Sequence, residues 1–533
     1  MEMAAAIGDK IKNYILQIEN ENKELKHALD ENTKQRKELE AENQRLEERL
    51  RLALFRQFGR ASERFIGKGQ QPLFGNEEIP DGKAEPPEPA GIPVKAHIRN
   101  AKGRKPIDPK IPRREIPIDI PEEDKQCACG HPLVCIGEDI TERLVIIPEQ
   151  VYVEQYHVKK YACHHCEGSG DEDKPAVRTG KVPETIMPGS IATAGLLSFI
   201  FVKKYDDHVP YYRQEAGFER IGVNISRQDM SNWQMKTGNR LEPLIEKLKA
   251  HVKSGSVMQM DETPMKVMRE PGRNNTSKSY MWLARGGPPD KPALFYEYNE
   301  TRASENVIPF LKGFKGYLQT DGWGSYNTAL KGYPDVIHVG CFAHARRYFF
   351  EAMKAVKAVG TEKTCGVEQA ISYIKGLYTV EKDLREKVKA HVISLGEFLE
   401  ERFRRCTPII VSFHKWLEKQ SEEVLPSSAL GAAIKYTLNR WPTLIRYLCH
   451  AELTPDNNAA ERGIRPFVMG RKNWVMCGSP EGAKTACALY SLIETAKANN
   501  LNPYSYLKTV FDKVPTLAPG DDWEQLLPWN ITL

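Results

Sequence analysis

A chain of 533 residues is more than one hydrophobic core can serve, so about three or four folded units are expected. Hydrophobic residues at 41% can build real cores, and 76 basic residues against 71 acidic, net charge +5, exclude a strongly polarised or disordered chain. The first residues turn polar at once, the longest apolar run (Ile191 to Val202) is too short to cross a bilayer, and the 11 cysteines are odd in number and partly isolated; this excludes a signal peptide, a membrane span and a disulfide framework, and a cytoplasmic location is expected.

From Ile11 to Ala53 the sequence keeps a heptad. One seam is Ile11, Ile18, Leu25, Asn32, Leu39, Leu46 and Ala53; the other is Ile15, Asn22, Leu29, Arg36, Asn43 and Leu50. With charges elsewhere and no Gly or Pro, residues 1–66 read as a coiled-coil oligomerisation helix forming a homodimer or higher oligomer; a single solvated helix is the alternative. Residues 67–115 read as a linker, first flexible and then basic. Within it, Gly103-Arg104-Lys105-Pro106 fits a narrow minor groove, and Arg104 and Lys105 are candidate DNA contacts; a merely soluble basic linker has the same composition.

Residues 116–180 read as a zinc ribbon. Cys127-Ala-Cys129 and Cys163-His-His-Cys166 are separated by two strand-like runs, and four thiolates suit one closed, structural Zn²⁺ site. Residues 181–250 read as helical. Val209 to Ile221 is a helix, Gly222-Val223-Asn224 breaks it, and Ser226 is placed to N-cap a second one. Helix, glycine-bearing turn and helix is a helix-turn-helix pattern, with Arg227 and Gln228 near the second N-terminus as candidate DNA contacts; many helical hairpins that bind nothing look alike.

The stretch SVMQMDETPMKV, from Ser256, reads as a strand with Val257, Gln259 and Asp261 on one side and Met258, Met260 and Glu262 on the other. A half-buried carboxylate there needs a compensating charge, and a divalent cation is the usual one. The competing reading ends the strand at Met260 and leaves both acids in a solvated turn. Strands follow at Ser279–Arg285 and Ala293–Tyr298, then a helix near Ser304–Leu311, a strand ending in Asp321-Gly322, and a strand from Val336. Asp261 and Asp321 lie 60 residues apart, room for two hairpin strands and a crossover. Residues 251–350 are therefore expected to form the first part of a ribonuclease-H-like core, 351–450 a helical insertion, 451–500 the second part, and 501–533 a tail. In the second part Asn457, Glu461 and Arg465 share a helix face, so Glu461 is a candidate third acid. Arg462, Arg465, Arg471, Lys472 and Trp474 form a basic patch with one aromatic, suited to phosphate contact and base stacking, although Trp474 also suits a core. Cys341-x-x-His344 lacks a matching second pair and is expected to pack or to border the site. The helix Ala483 to Ala498 is expected to pack on the sheet.

Taken together, DETPM, YLQTDGWGSY, CFAHARR, DNNAAERGIRPFVMGRKNW and YSLIETAKANNLNPYSYL, with the CxC…CxxC ribbon, resemble the insertion-sequence-66 (IS66) family of bacterial DDE transposases over nearly the whole chain past Arg99. The resemblance implies a catalytic triad of Asp261, Asp321 and Glu461 holding two Mg²⁺ ions. It also implies nicking of double-stranded DNA at element ends, joining of the 3′-OH to target DNA, small accessory transposition proteins as partners, and a nucleoid-associated bacterial location. The expected architecture is multidomain α/β: coiled coil, zinc ribbon, helix-turn-helix-like region, then the core with its insertion. A zinc-dependent DNA-binding protein whose ribonuclease-H-like domain is catalytically inactive is the alternative.

Overall fold

The computed structural model describes scattered positions between 23 and 46, then residues 151–162, 177–179, 182–358, 365–518 and 520–532. Every described position between 23 and 46 is helical, including Leu39 and Leu46 of the expected seam. Arg104, Lys105, Cys127, Cys129, Cys163 and Cys166 lie outside the described residues. The chain divides into two compact units, one within Ser62–Val182 and one containing Pro183–Leu533. In the first, β1 (Lys160–Ala162) pairs antiparallel with β2 (Val177–Thr179).

The larger unit is mixed α/β and mostly helical, around one five-stranded sheet. Its strands are β3 (Val257–Met265), β4 (Ser279–Gly286), β5 (Ala293–Asn299), β6 (Gly316–Gln319) and β7 (Val336–Val339), in the spatial order β5-β4-β3-β6-β7. The first three form antiparallel hairpins, and β6 and β7 then run parallel to β3. The edge strand β5 does not face water. Helix Pro480–Ala498 covers it: Leu294 N–H donates to Thr495 Oγ1 (3.0 Å) and Tyr296 N–H to Ser491 Oγ (2.9 Å), which closes an edge that would otherwise invite pairing.

Helix Pro480–Ala498 was expected to pack on the sheet and does, but its opposite face is equally buried. There it holds the helical region that precedes the sheet. Ser226 caps helix Arg227–Arg240 through a capping box with Asp229, as its position predicts. From that helix the buried Gln234 accepts from Tyr205 Oη (2.6 Å) and Tyr211 Oη (2.8 Å) and donates to Thr485 Oγ1 (3.0 Å). Gly238 sits so close that a Cβ would meet Thr485 Cβ at 2.5 Å. The helix-turn-helix-like segment is thus continuous with the sheet's core and not a separate domain. The 501–533 segment, expected as a tail, is likewise core. Helix Pro503–Lys513 packs Phe511 edge-on against Phe201, and Trp523, Leu526 and Leu527 are buried. Its apolar residues follow helical spacing, which is a burial signal whatever the position in the chain.

The long helices Phe342–Ala358, Cys365–Lys389, Leu395–Glu423 and Ala429–Leu444 form a second core with Val339 and Leu453. A fully buried Arg402 organises its exit. It pairs with Glu381 (3.1 Å) and donates to the carbonyls of Tyr447 (2.7 Å), His450 (2.9 Å) and Leu453 (3.0 Å). With Arg385, which donates to the carbonyls of Ala451 (3.1 Å) and Leu453 (2.8 Å), it satisfies a turn that returns the chain to the sheet just before Asn457.

Candidate active site

Parallel register sets the first two acids. Gln259 pairs with Gln319 at the last bonded position of β3 and β6. Asp261 and Asp321 each lie two residues further in the same direction, so both stand at the edge where β6 ends. Below them Gln259 Nε2 donates to Gln319 Oε1 (2.8 Å), and Gln319 Nε2 donates to Thr454 O (2.7 Å), tying both strands to the returning chain. Gly322, at φ +85°, turns the backbone after Asp321; Trp323 N–H donates to Asp321 Oδ1 (2.8 Å) and Tyr436 Oη to Asp321 O (3.0 Å). The insertion thus buttresses this turn.

The third acid arrives on helix Asn458–Trp474, which crosses the Asp261 face of the sheet. Asn457, just before the helix, is fully buried and is the pin: its Nδ2 donates to Met260 O (2.8 Å) and its backbone N–H to Cys341 Sγ (3.2 Å). One turn on, Glu461 faces His344 Nδ1 at 3.6 Å and Arg347 Nη2 at 3.8 Å. Cys341 Sγ, His344 Nδ1 and a Glu461 carboxylate oxygen all lie within 4.8 Å of one another, so Cys341-x-x-His344 borders the site. Glu461 Oε1, His344 Nδ1 and Asn457 Oδ1 are buried without a hydrogen-bond partner among the described residues.

Burial, and then the charges of Glu262, Glu461 and Asp321, push the Asp261 carboxyl up to about 8. Asp261 is therefore within electrostatic reach of both Glu461 and Asp321. Glu262, on the opposite side of β3, is already compensated: Arg302 Nε donates to it at 2.5 Å and Tyr326 Oη at 2.5 Å. Arg302 also reaches Asp321 Oδ2 at 3.8 Å and lies over the Trp323 ring at 3.9 Å. Arg302 carries no sequence signal of its own, and Tyr326 only its place at the end of YLQTDGWGSY. Among the described residues Asp261 has no such cation, and its one hydrogen bond comes from the Glu262 N–H (2.9 Å). Three clustered carboxylates with unfilled oxygens are hard donors that fit a divalent cation such as Mg²⁺.

The basic residues singled out from sequence fall in two places. On helix Asn458–Trp474, Arg462, Arg465 and Lys472 are exposed, and Arg471 donates to Thr263 Oγ1 (3.2 Å), two residues beyond Asp261. Trp474 is half-buried and packs edge-on against Tyr205. Arg227 and Gln228 are exposed on the capped helix; Gln228 Nε2 donates to Asn232 Oδ1 (3.0 Å), and Arg227 Nε stands 3.9 Å from Glu215.

The region that holds this acid cluster and its cationic helix matches one family of transposases. Residues 189–485 match the Transposase IS66 family and 491–529 the IS66 C-terminal element. Residues 124–167 match the zinc-finger binding domain of transposase IS66, and 45–116 the region described as Transposase C of IS166 homeodomain. The chain belongs to the IS66 transposase family. Among similar proteins of Sinorhizobium fredii (strain NBRC 101917 / NGR234), the uncharacterized protein y4qI is 30% identical over 89% of this chain and 86% of its own length. The uncharacterized protein y4jD is 29% identical, over 86% of each chain. No described helix is long and apolar enough to cross a membrane.

Proposed function

We propose that this chain nicks double-stranded DNA at insertion-sequence ends and joins the freed 3′-OH to target DNA, with Asp261, Asp321 and Glu461 as its catalytic acids on a ribonuclease-H-like core. The observation that carries this is the matched register of Asp261 and Asp321 past the Gln259–Gln319 pair, with Glu461 brought against them by a helix pinned at Asn457. The strand order, three antiparallel hairpin strands followed by two parallel ones, supports the core assignment.

The three carboxylates would hold two divalent cations, which when bound supply an activated oxygen nucleophile and neutralise charge on the leaving oxygen. The chain's own residues do the rest. Glu262, Arg302 and Tyr326 fix β3 and the Asp321 turn, so the acids are positioned before substrate arrives. Arg462, Arg465, Arg471 and Lys472 line the helix that carries Glu461 and offer cations to backbone phosphates. Trp474 is left out of this interface because its ring is engaged in packing. Arg104, Lys105, Arg227 and Gln228 are assigned to DNA outside the acid cluster, Cys127, Cys129, Cys163 and Cys166 to one structural Zn²⁺, and the heptad helix to homo-oligomerisation.

The test is an incubation of purified protein with labelled terminal DNA, Mg²⁺ and a target plasmid. Strand joining by the wild type and none by Asp261→Asn, with DNA binding retained, is the expected result. Binding without cleavage by the wild type would favour an inactive DNA-binding protein, and joining by Asp261→Asn would overturn the acid assignment.

A further inference from the structure

Arg285 lies near the end of β4, in register with Gln259 on β3 and Leu294 on β5. Paired residues share a sheet face, and so does Leu283, two positions away. Helix Asn458–Trp474 covers that face: a Cβ built on Gly463 would meet Leu283 Cδ2 at 2.7 Å and Leu294 Cδ2 at 2.9 Å, and Tyr296 Oη donates to Gly463 O. Arg285 therefore sits beneath the helix next to Arg462, the residue before Gly463.

Both arginines are left without an anion. Among the described residues no carboxylate, carbonyl or hydroxyl accepts a hydrogen bond from either guanidinium, and neither forms an ion pair, although Arg285 is half-buried. Burial, and then the like charge of Arg462, push the Arg285 guanidinium down. Asp456 feels the charge of Arg462 but is itself buried and takes a hydrogen bond from Asn458 N–H (3.1 Å). Two adjacent cations, one of them partly desolvated, destabilise a fold unless an anion joins them. Such a local violation is expected where a ligand completes the site. Gln259 lies two residues before Asp261 on the same face, so the pair stands about 7 Å along the strand from the acids. That is roughly two base steps of one DNA strand.

We propose that Arg285 and Arg462 form a phosphate-binding pair that grips a backbone phosphodiester of DNA beside the Asp261–Asp321–Glu461 cluster, a placement that rests on the function proposed above. The recognition is of phosphate, not of base sequence, so it contributes equally to any duplex.

The experiment uses the full chain in the Asp261→Asn background, without divalent cation, and a short fluorescein-labelled duplex of arbitrary sequence. Fluorescence anisotropy over a salt series is measured for Arg285→Gln, Arg285→Lys and Arg462→Gln. Loss of one charge-assisted phosphate contact predicts about a tenfold weaker complex at low salt for each Gln variant. The slope of log affinity against log salt should fall by about 0.9. Arg285→Lys should keep the slope. Melting temperatures are read in parallel: inorganic phosphate stabilises any fold somewhat more than chloride, and its excess over chloride of equal ionic strength should be larger for the parent than for Arg285→Gln. Unchanged affinity and slope in folded Arg285→Gln would overturn the proposal and leave Arg285 a packing residue. Should Arg285→Gln not fold, Arg462→Gln, on the exposed helix face, decides by the same readout. None of these results depends on cleavage, so failure here is separable from failure of the catalytic assignment.

Discussion

Replacing Asp261 with Asn should make the metal-free protein more stable while removing its activity. The folded carboxyl is held at about 8, against an ordinary value near 3.8. At about 1.4 kcal/mol per pH unit, the proton that folding forces onto Asp261 destabilises the native state by about 4 kcal/mol at pH 7. That is a ceiling for the gain, since an Asn amide must also be desolvated. The sign follows from linkage. Below pH about 4 the group is protonated in both states and costs nothing; the penalty grows as pH rises from 4 to 8 and is constant above. The difference in melting temperature between Asp261→Asn and the wild type should therefore be near zero at pH 4 and largest at pH 8. Calorimetry in Chelex-treated buffer across that range measures it. Adding Mg²⁺ should then stabilise the wild type and have little effect on the variant. A variant that melts at or below the wild type at pH 8, or that responds equally to Mg²⁺, would refute the reading of Asp261 as an uncompensated acid awaiting a cation.

Gly463→Ala pushes a methyl into Leu283 and Leu294, which stand 2.7 and 2.9 Å from it, and lifts the helix that carries Glu461. A loss of about 1–3 kcal/mol in urea unfolding is expected, with a larger fractional loss of strand cleavage. Arg402→Ala leaves the buried Glu381 carboxylate and the Leu453 carbonyl to Arg385 alone and strips the Arg402 hydrogen bonds from the carbonyls of Tyr447 and His450. It should cost about 2–3 kcal/mol, and Arg402→Met measurably less, in the same assay. Elemental analysis should find one zinc per chain, lost in Cys163→Ser and retained in Asp261→Asn; zinc retained in Cys163→Ser would remove that cysteine from the ligand set.

Much of the local structure is written in local signals. Alternation from Val257 to Met265 predicts a strand, and the structure has one there. Ser226 after the glycine break predicts a helix start, and it caps the helix, with Asp229 completing a capping box. The interval between Asp261 and Asp321 has room for two hairpin strands and a crossover, and those elements fill it. Each of these depends on backbone preferences or periodicities that reach over a few residues, so the sequence expresses them directly.

What depends on contacts between distant segments is not expressed that way. Sequence puts Asp261 and Glu262 on opposite sides of one strand but gives neither a partner; the fold brings Arg302 and Tyr326 to Glu262 and leaves Asp261 uncompensated. The helical hairpin reads as a free DNA-binding module until Gln234 and Gly238 are seen locked against Thr485. Residues 501–533 read as a tail until Phe511 and Trp523 are found in the core. Arg285 reads only as the end of a strand until the sheet sets it beneath the helix of Arg462. A side chain's charge and hydropathy are the same in solvent and in a core, so sequence determined the elements and the residue types available for chemistry, while the pairing of faces more than a hundred residues apart decided which charges were neutralised and which were left to bind.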